Sequence, residues 1–490
     1  MKHSHQTPVR IGLCFAMATL LASRSFGAAD EEATTNPTRK QNKALAESRL
    51  AELRTAHADD ASFLFRPGLY ANHGSREVFV FAEGSSVSVH DPIEFFLIGE
   101  SSGHDYEALA ISFAKPSDID RALQFIGLKP GHPIDIGSFR MWPKGDQVAV
   151  SMLLPTDDSK TREVGIEELL VDDRTKSTFQ QDGFLFVGSR QVPDPANPDQ
   201  KIYAADVLEP NSIAANYNES TTVLDVPTQR SKGEQYRHIS RNPELRLEAG
   251  RLVVFKLKPQ HEHGQSRVRD LVIGVSPAAA TDDTHAGTAG VGGLALTLHS
   301  ADGALASDSP TLPGLLAGLE RIVSEGGIPY VQIRLNPALT LAQCKSACAA
   351  IAELEGIDGI RVEPPPAGHA YYKAFLPREA YRTPADRPTQ PWEIHLKHAG
   401  DAYTVEAVLT RAEYGKDIMN PTFERDLYAI DSTDAVAARL GEIESKLNPE
   451  KILLPRVLIF YAPPTITYGD LSAIMAPLLK EYPIVYVFAE

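Results

Sequence analysis

The sequence is poor in cysteine, and its 490 residues include only Cys14, Cys344 and Cys348. A chain of this length can bury several hydrophobic cores and needs no disulfides to do so. Cys344 and Cys348 are four residues apart on a predicted helix, where a bridge between them would be strained. They continue an apolar stripe that includes Leu341 and Ile351. The pattern predicts two buried thiols, and a metal or redox pair is the alternative.

The sequence also lacks an excess of positive charge. It has 48 basic and 64 acidic side chains, a formal net charge of −16. Binding to nucleic acid depends on clustered Lys and Arg that neutralise phosphates, so a nucleic-acid partner is disfavoured. The composition is otherwise that of a globular protein, with 43% apolar and 23% charged residues. The length indicates about three domains.

The N-terminal apolar run, Ile11–Ala22, is too short for a transmembrane helix, which needs about 20 residues. Lys2 and Arg10 precede this run and small residues follow it, which is the layout of a signal peptide over residues 1–28. We expect cleavage near Gly27–Ala29 and a periplasmic or secreted protein, with an uncleaved membrane anchor as the alternative. Cleavage removes three basic side chains and no acidic one, so the net charge changes from −16 to −19.

The common catalytic signatures are missing as well. The sequence has no Ser nucleophile elbow, no Cys–His pair and no H-E-x-x-H motif. The glycine-rich stretch 274–293 lacks the G-x-G-x-x-G spacing of a nucleotide site. Acidic runs such as DEE, EELLVDD and TDD are explained as solvated faces. We therefore predict no cofactor, no catalytic residue and no metal site, and a non-enzymatic role is favoured.

The region that follows the signal peptide is polar. Residues 29–60 are predicted to form a partly helical tether. Composition favours a helix over Lys40–His57, with Leu45, Leu50 and Leu53 loosely on one side.

Residues 61–272 are predicted to form the first folded domain. Short runs rich in aromatic and β-branched residues recur there with turns between them, for example REVFVFAEG, QVAVSMLL and RLVVFKLKP, which is typical of strands. One good helix interrupts them. Ser117 is its predicted cap, Asp118 and Asp120 suit its first turn, and Gly127 follows at the stop position.

The rest of the chain contains a duplicated pattern. A flexible linker rich in Ala, Gly, Thr and Asp is predicted over residues 273–293. Two copies of a strand, helix, strand, helix, strand order follow, predicted as domains over residues 294–383 and 384–490. The two copies can be overlaid so that Val331, Ile333 and Pro337 fall on Val457, Ile459 and Pro463.

These patterns predict an α+β multidomain protein. A β-rich N-terminal domain would be followed by two small α/β sandwich domains, each with its helices on one face of a sheet.

Several ordered segments within residues 75–258 resemble the YdjY-like family. They are GHDYEALA, PSDIDRALQFIGLKPG, GFLFVGSR, KIYAAD and NPELRLEAGRLVVFKLKP. The resemblance implies a β-rich exported domain and does not imply a reaction.

The two repeats resemble the periplasmic domain of the ExbD/TolR family. The resemblance depends on the order of strands and helices, on the DG turn, and on the segment TYGDLSAIM (Thr467–Met475). Members of that family carry an N-terminal transmembrane helix with a functional acid, and no such segment precedes either repeat here. Proton-coupled work is therefore not implied. The resemblance implies dimerisation, or binding of peptides or cell wall by the sheet.

His104 and Glu107 are the sharpest candidate pair, three residues apart just before a predicted strand. They could share a metal or act as acid and base. Ser189 and Arg190 from a later strand could converge on them, and Arg190 would then hold an anion by a two-pronged contact. The alternative is a turn His and a strand-edge Glu within a fold signature. The HEH run at 261–263 is interpreted as a solvated loop, with a metal as the alternative.

The sequence thus predicts an exported, non-enzymatic envelope protein. The YdjY-like domain would bind a ligand or partner, with His104, Glu107, Ser189 and Arg190 as candidate binding residues. The repeats would form a homodimer or contact peptidoglycan or another envelope protein. The alternative is an enzyme or metal-binding protein centred on His104, Glu107 and Arg190.

Overall fold

The computed structural model describes most of the chain from residue 37 onwards. The described residues are 37–135, 140–155, 161–178, 183–194, 196–235, 238–245, 247–261, 267–278, 293–300, 305–307, 311–356, 359–376, 392–400, 402–413, 422–447 and 457–490. The predicted signal peptide and the expected boundary near residue 383 lie outside them. The described part is mixed α/β and rich in strands.

The helices are α1 (Pro37–Ala56), α2 (Pro116–Phe125), α3 (Ile166–Leu169), α4 (Ala204–Val207), α5 (Lys232–Gln235), α6 (Leu312–Ser324), α7 (Leu341–Ala352), α8 (Val436–Leu447) and α9 (Tyr468–Met475). Among the described helices, none is both long enough and apolar enough to cross a bilayer.

The strands that precede residue 260 are β1 (Phe63–Arg66), β2 (Leu69–Asn72), β3 (Glu77–Gly84), β4 (Phe95–Gly99), β5 (Ala108–Ser112), β6 (Pro130–His132), β7 (Lys144–Pro155), β8 (Thr161–Gly165), β9 (Leu170–Asp172), β10 (Ser177–Thr178), β11 (Phe184–Phe186), β12 (Gln191–Pro193), β13 (Lys201–Tyr203), β14 (Ser212–Ala215), β15 (Leu224–Asp225), β16 (Ile239–Arg241) and β17 (Leu252–Pro259).

Eight of these strands form a ring, which we call the closed sheet. Its order is β3, β17, β7, β11, β15, β14, β4 and β5, and β5 returns to pair with β3. The closing pair is antiparallel, with Ala82 opposite Ser112. Alternate residues point inward, as in β17, where Val253, Phe255 and Leu257 are buried. Eight strands leave an interior that side chains can fill, and the inward-facing apolar residues of the ring, such as Phe255, belong to one core.

Helix α1 is docked on the outside of the closed sheet. The prediction of a tether over residues 29–60 is therefore wrong for the residues of this helix. Ala46 and Leu50 are buried and pack against Phe81 and Phe113. The expected leucine side is only partly used, because Leu45 is 45% exposed. The helix predicted from composition is present, but it belongs to the folded structure.

Helix α2 begins two residues earlier than predicted, because Pro116 occupies its first position and Lys115 is the cap. Proline suits that position, since its missing N–H would have no partner there. Ser117 is therefore not the cap; its N–H donates to Asp206 Oδ1 at 2.9 Å. Gly127 ends the helix with a φ of 87°, as predicted, because this conformation favours glycine.

The remaining strands are β18 (Val268–Pro277), β19 (Leu294–Ser300), β20 (Leu305–Ser307), β21 (Ile328–Leu335), β22 (Arg361–Val362), β23 (Trp392–Ala399), β24 (Ala402–Glu413), β25 (Thr422–Ile430), β26 (Val457–Ala462) and β27 (Ile484–Ala489). The second sheet has the order β20, β19, β18, β21, β22, and the third sheet has the order β25, β24, β23, β26, β27. The two orders are the same, strand for strand, which agrees with a duplication.

Strand β18 crosses the boundary expected at residue 272. It pairs antiparallel with β19 and parallel with β21, so it is the central strand of the second sheet. Leu271, Ile273 and Val275 face the core. The expected linker over residues 273–293 therefore begins too early, and its residues 279–292 lie outside the described part.

The two repeats pair with each other within the chain, and we call the second and third sheets with their helices the paired repeats. Thr340 caps α7 and Thr467 caps α9, and these two residues form an antiparallel bridge. Each main-chain hydrogen bond across the junction has a counterpart in which both residues are shifted by 127 positions. Leu341 N–H donates to Ile466 O (2.8 Å), and in return Tyr468 N–H donates to Leu339 O (2.7 Å). Ala342 N–H donates to Pro464 O (3.0 Å), and in return Gly469 N–H donates to Pro337 O (2.9 Å). The repeats are thus related by a local two-fold arrangement.

This reciprocity corrects the sequence overlay by one residue. Pro337 corresponds to Pro464 and not to Pro463, because both accept the equivalent bond across the junction. One hydrophobic core runs through both repeats. Cys344 and Cys348 are buried in it as free thiols, and burial raises the pKa of Cys344 to about 12.

Arg361 holds the second sheet against the closed sheet. Its guanidinium lies 5.2 Å from the ring of Trp142 and 5.0 Å from the ring of Tyr330. It donates to Pro227 O and to the Tyr330 hydroxyl, and this hydroxyl donates to Pro143 O at 2.7 Å. The buried cation thereby joins loops of the first part of the chain to β21 and β22.

Candidate functional site

The candidate site lies where two parallel strands of the closed sheet begin. Strands β4 and β5 are parallel neighbours, with Phe95 opposite Ala108. Glu94 and Glu107 are the residues just before these partners, and the Glu94 N–H donates to Glu107 O at 2.8 Å. Because β4 and β5 are parallel neighbours that begin at the same edge of the sheet, the side chains of Glu94 and Glu107 lie near each other.

His104 and Glu107 contact each other, as the sequence suggested. His104 Nδ1 lies 2.5 Å from Glu107 Oε1. The turn of 3-10 helix over Asp105–Glu107 brings them together, because residues three apart face the same side of such a turn. Glu107 is buried and His104 is half-buried. The rings of His104 and Phe95 meet edge to face, with their centroids 5.9 Å apart.

Glu94 is a member of the site that sequence reasoning missed. Its carboxylate is buried, and Oε2 lies 2.6 Å from Lys232 Nζ. Burial raises its pKa; the ion pair with Lys232 acts in the opposite direction, and Glu107 adds to the rise. Its Oε1 has no hydrogen-bond partner among the described residues. A single acid before an apolar strand carries no local signal, and its partner is far away in sequence.

Two tyrosines complete the surroundings. Tyr217 is buried, its ring lies 5.9 Å from Lys232 Nζ and its edge meets Phe95. Burial raises the pKa of Tyr217, and the nearby carboxylates of Glu219 and Glu94 add to this. Tyr106 is 62% exposed at the rim, beside His104. The site therefore has buried acids at its base and an exposed aromatic ring at its edge.

Ser189 and Arg190 lie elsewhere in the described structure. Ser189 Oγ donates to Thr221 O at 2.6 Å, and its N–H donates to Tyr203 OH at 2.8 Å. Arg190 acts electrostatically on Glu219, whose pKa burial raises and Arg190 lowers. Within the described residues, no hydrogen bond or ion pair connects Ser189 or Arg190 to the His104–Glu107 pair.

Ser189 is instead part of a network that anchors α2. Tyr203 OH donates to Asp120 Oδ2 at 2.8 Å, and Gln124 donates to the other oxygen of Asp120. Burial raises the pKa of Asp120. The arrangement ties α2 to the β12–β13 hairpin, which is a structural role.

Two further acids extend the negative charge around Tyr217. Asp225 is fully buried, and its Oδ1 accepts from Asn218 Nδ2 at 3.0 Å and from Val226 N at 2.7 Å. Burial raises the pKa of Asp225 well above its ordinary range. Glu219 accepts from both the N–H and the hydroxyl of Thr221.

Neither histidine motif forms a metal site among the described residues. Within the described ranges, no group of three or more His, Cys, Asp or Glu side chains is arranged to hold a metal ion. His261 of the HEH run lies 2.7 Å from Gln147 Oε1 through its Nε2, and residues 262–266 lie outside the described part.

A cleft of about 180 Å³ opens in the paired repeats. It lies between the end of β21, the proline-rich segment after β22 and the first turn of α9. Its walls include the rings of Tyr371, Tyr372 and Tyr468, with Arg334 and His369 among its polar residues. His369 Nδ1 lies 2.8 Å from Tyr468 OH. This volume suits one ring-sized group, since an engineered cavity of about 150 Å³ accepts benzene.

Comparisons with known proteins give little further information. No protein-family model matches the sequence, and no curated protein matches it. Two solved structures of the prototype foamy virus protease–reverse transcriptase are similar to part of the chain. The selenomethionine-labelled CSH mutant is 10% identical with a TM-score of 0.13, and the native protein is 12% identical with a TM-score of 0.12. Each alignment covers 45% of this chain and 36% of the viral chain, and similarity this low supports no argument about fold or function.

Proposed function

We propose that this chain is an exported, non-enzymatic envelope protein that binds partners through two separate surfaces. The YdjY-like domain would bind a ligand at the cluster of Glu94, His104 and Glu107. The two ExbD/TolR-like repeats would contact peptidoglycan or another envelope component. The observation that carries the proposal is the reciprocal pairing of the repeats, because it joins two small folds into one unit with a shared core.

The proposal includes a finer division of the fold. The closed sheet with α1 and α2 would be one domain, and each repeat would be an α/β sandwich with its helices on one face of its sheet. Helix α6 contacts β19 and β21, and α7 and α9 share their core with both sheets. These contacts support the sandwich description.

The pairing bears on the expected homodimer. The surface around Thr340 and Thr467 is already used within one chain. A second copy would therefore have to use another surface, such as the outer strand β25, where Phe423 and Leu427 are exposed. We accordingly favour contact with an outside partner over self-association.

The cleft in the paired repeats supports a binding role. Aromatic walls beside a few polar groups are typical of sites that fix one small group and orient it. Arg334 is exposed beside the cleft and carries the positive charge there. Glu363 also lines the cleft, but its carboxylate lies 3.8 Å from Lys144 Nζ and 3.3 Å from His132 Nε2. Arg334 can therefore pair with the carboxylate of a ring or chain end.

Co-sedimentation with purified, insoluble peptidoglycan tests the proposal. We expect the mature chain to pellet with the wall material. Arg334→Gln should weaken pelleting, whereas the control Arg425→Gln, on the outer strand of the third sheet, should not. A chain that stays in the supernatant at all wall concentrations contradicts wall contact.

One observation supports an enzyme as the second candidate. Glu94 and Glu107 are adjacent carboxylates in different environments, one with a raised pKa and the other beside His104. Such a pair can divide the roles of acid and base. In the part of the chain that the structure describes, no hydrogen bond or ion pair joins Arg190 to them. Release of soluble fragments from peptidoglycan that is lost in Glu94→Gln would support this candidate, and no release by the wild-type chain would exclude this substrate.

A further inference from the structure

Lys232 and Glu94 form an ion pair in which the two partners differ sharply in burial. The side chain of Glu94 is 3% exposed and that of Lys232 is 52% exposed. The acid belongs to the closed sheet, just before β4. The lysine reaches it from α5, a four-residue helix whose first residues are exposed. The carboxylate is thus a fixed part of the fold, and the ammonium is the partner that can leave.

The place that Lys232 Nζ occupies has the features of an ammonium site. Glu94 Oε2 lies 2.6 Å away and the ring of Tyr217 lies 5.9 Å away. The carboxylate of Glu107 adds a favourable electrostatic interaction with the ammonium. A carboxylate combined with the face of an aromatic ring is a general arrangement for binding organic cations.

The site also has unused hydrogen-bonding capacity. Glu94 Oε1 and Asn216 Oδ1 are buried, and neither has a hydrogen-bond partner among the described residues. Asn216 is next to Glu94, because its N–H donates to Glu94 O at 2.9 Å. A primary ammonium has three N–H donors. A free primary ammonium at Glu94 therefore has a donor for Oε1, which Lys232 does not hydrogen-bond.

We propose that Glu94, Tyr217 and Glu107 form a binding site for a primary alkylammonium group, and that Lys232 is its intramolecular occupant. A buried carboxylate that loses its ion-pair partner is costly, so the site favours a bound cation, either Lys232 or a ligand. The ligand carries a lysine-like amine. This inference rests on the proposed ligand-binding function of the first domain and names the chemical class of its ligand.

Chemical rescue tests the inference. Lys232→Met keeps most of the side-chain stem and removes the charge. We expect a lower Tm for this variant, and 100 mM n-butylammonium chloride should raise it by about 3 °C relative to 100 mM NaCl, the size of shift expected for binding to a domain of this length. The double variant Lys232→Met with Glu94→Gln should show no such rise.

Two controls isolate the site. Lys43→Met removes another half-exposed lysine, one whose partner Glu100 is more exposed; n-butylammonium should not rescue it, because water can solvate Glu100. Tetramethylammonium, which has no N–H donor, should rescue Lys232→Met less than n-butylammonium does.

If Lys232→Met does not fold in buffer, the readout becomes its refolding yield in n-butylammonium compared with its yield in NaCl. Equal effects of n-butylammonium and NaCl overturn the inference in either format.

The same variants separate this inference from the proposed function and identify the source of the amine. If rescue fails while the wild-type chain still pellets with peptidoglycan, the ammonium site is overturned and wall contact stands. If rescue succeeds and nothing pellets, the site stands and wall contact is overturned. Stronger pelleting of Lys232→Met than of wild type, lost when the wall amines are acetylated, identifies a wall-borne amine. If n-butylammonium rescues Lys232→Met but acetylation of the wall amines leaves pelleting unchanged, the ligand is a free amine.

Discussion

Replacing Arg39 by Met should release helix α1 from the closed sheet. Arg39 is buried, and its Nε lies 2.6 Å from Glu83 Oε1 while its Nη2 lies 2.7 Å from Asp105 Oδ2. Glu83 is itself buried in β3. The substitution therefore removes the cation that two carboxylates share and leaves one of them buried.

The size of the effect follows from these surroundings. Breaking a buried ion pair by removing one partner costs about 3–5 kcal/mol. Asn42 still donates to Glu83 at 3.0 Å, and the partly exposed Asp105 can be solvated. We therefore take the lower end, about 3 kcal/mol, which corresponds to roughly a hundredfold change in an equilibrium constant.

Hydrogen exchange of the α1 amides measures this locally. In Arg39→Met we expect exchange in α1 to be about a hundredfold faster, while the amides of β17 keep their wild-type rates. The matched control is Lys43→Met, because Lys43 is on the same helix and its pair with Glu100, just after β4, is partly exposed. An exposed pair contributes about 0–1 kcal/mol, so exchange in the control should change by about fivefold at most.

Two outcomes would refute the reasoning. If α1 exchange changes less than threefold in Arg39→Met, the docking of the helix depends on Ala46 and Leu50 and not on the buried cation. If the control changes as much as Arg39→Met, burial of the pair is not what matters.

Three further predictions concern other buried polar groups. Arg361→Gln removes the cation between Trp142 and Tyr330. We expect proteolysis in the loops around Pro143 to become at least tenfold faster, because a desolvated cation–π contact contributes about 2 kcal/mol. Unchanged cleavage would show that Arg361 does not hold these loops. Asp225→Asn should raise Tm at pH 7, since the raised pKa of Asp225 means that its ionised form destabilises the fold. The difference in Tm between variant and wild type should shrink as the pH falls toward 3.8, the ordinary pKa of an aspartate. A difference in Tm that does not change with pH would refute this prediction. Native Cys344 should react with a thiol reagent about a thousandfold more slowly than an exposed thiol at pH 8, because its pKa is about 12 against an ordinary 9.0; rapid labelling of the folded chain would disprove its burial.

Several features could be predicted because their signals are local. The stop at Gly127 and the buried stripe with Cys344 and Cys348 depend on residues within one or two turns of each other. The His104–Glu107 contact is also local, since the residues are three apart in one turn. The duplication was visible because the order of elements is itself a sequence pattern.

Other features depend on distant partners and left no local trace. Strand β18 was mistaken for the start of a linker, because Gly274 and Pro277 resemble loop residues and its partners β19 and β21 lie beyond the glycine-rich stretch. Helix α1 has few apolar residues, and one of its contacts with the closed sheet joins Arg39 to Glu83, 44 residues away in the sequence. The closing pair of β3 and β5 is a property of the whole ring.

The candidate site shows the same division. Glu94 joins it only because β4 and β5 are parallel neighbours, and Lys232 comes from a distant short helix. The sequence left open that Ser189 and Arg190, from a later strand, converge on His104. Ser189 is instead held by Thr221 and Tyr203, because its hydroxyl and N–H are used to anchor a hairpin.

The most direct test of the central claim is to mix the mature chain with purified peptidoglycan, centrifuge it, and measure both the pelleted protein and the soluble fragments released. The account predicts saturable pelleting of the chain with no release of fragments above the protein-free control. Protein that remains in the supernatant, or fragments that accumulate with time, would contradict a non-enzymatic wall-binding protein.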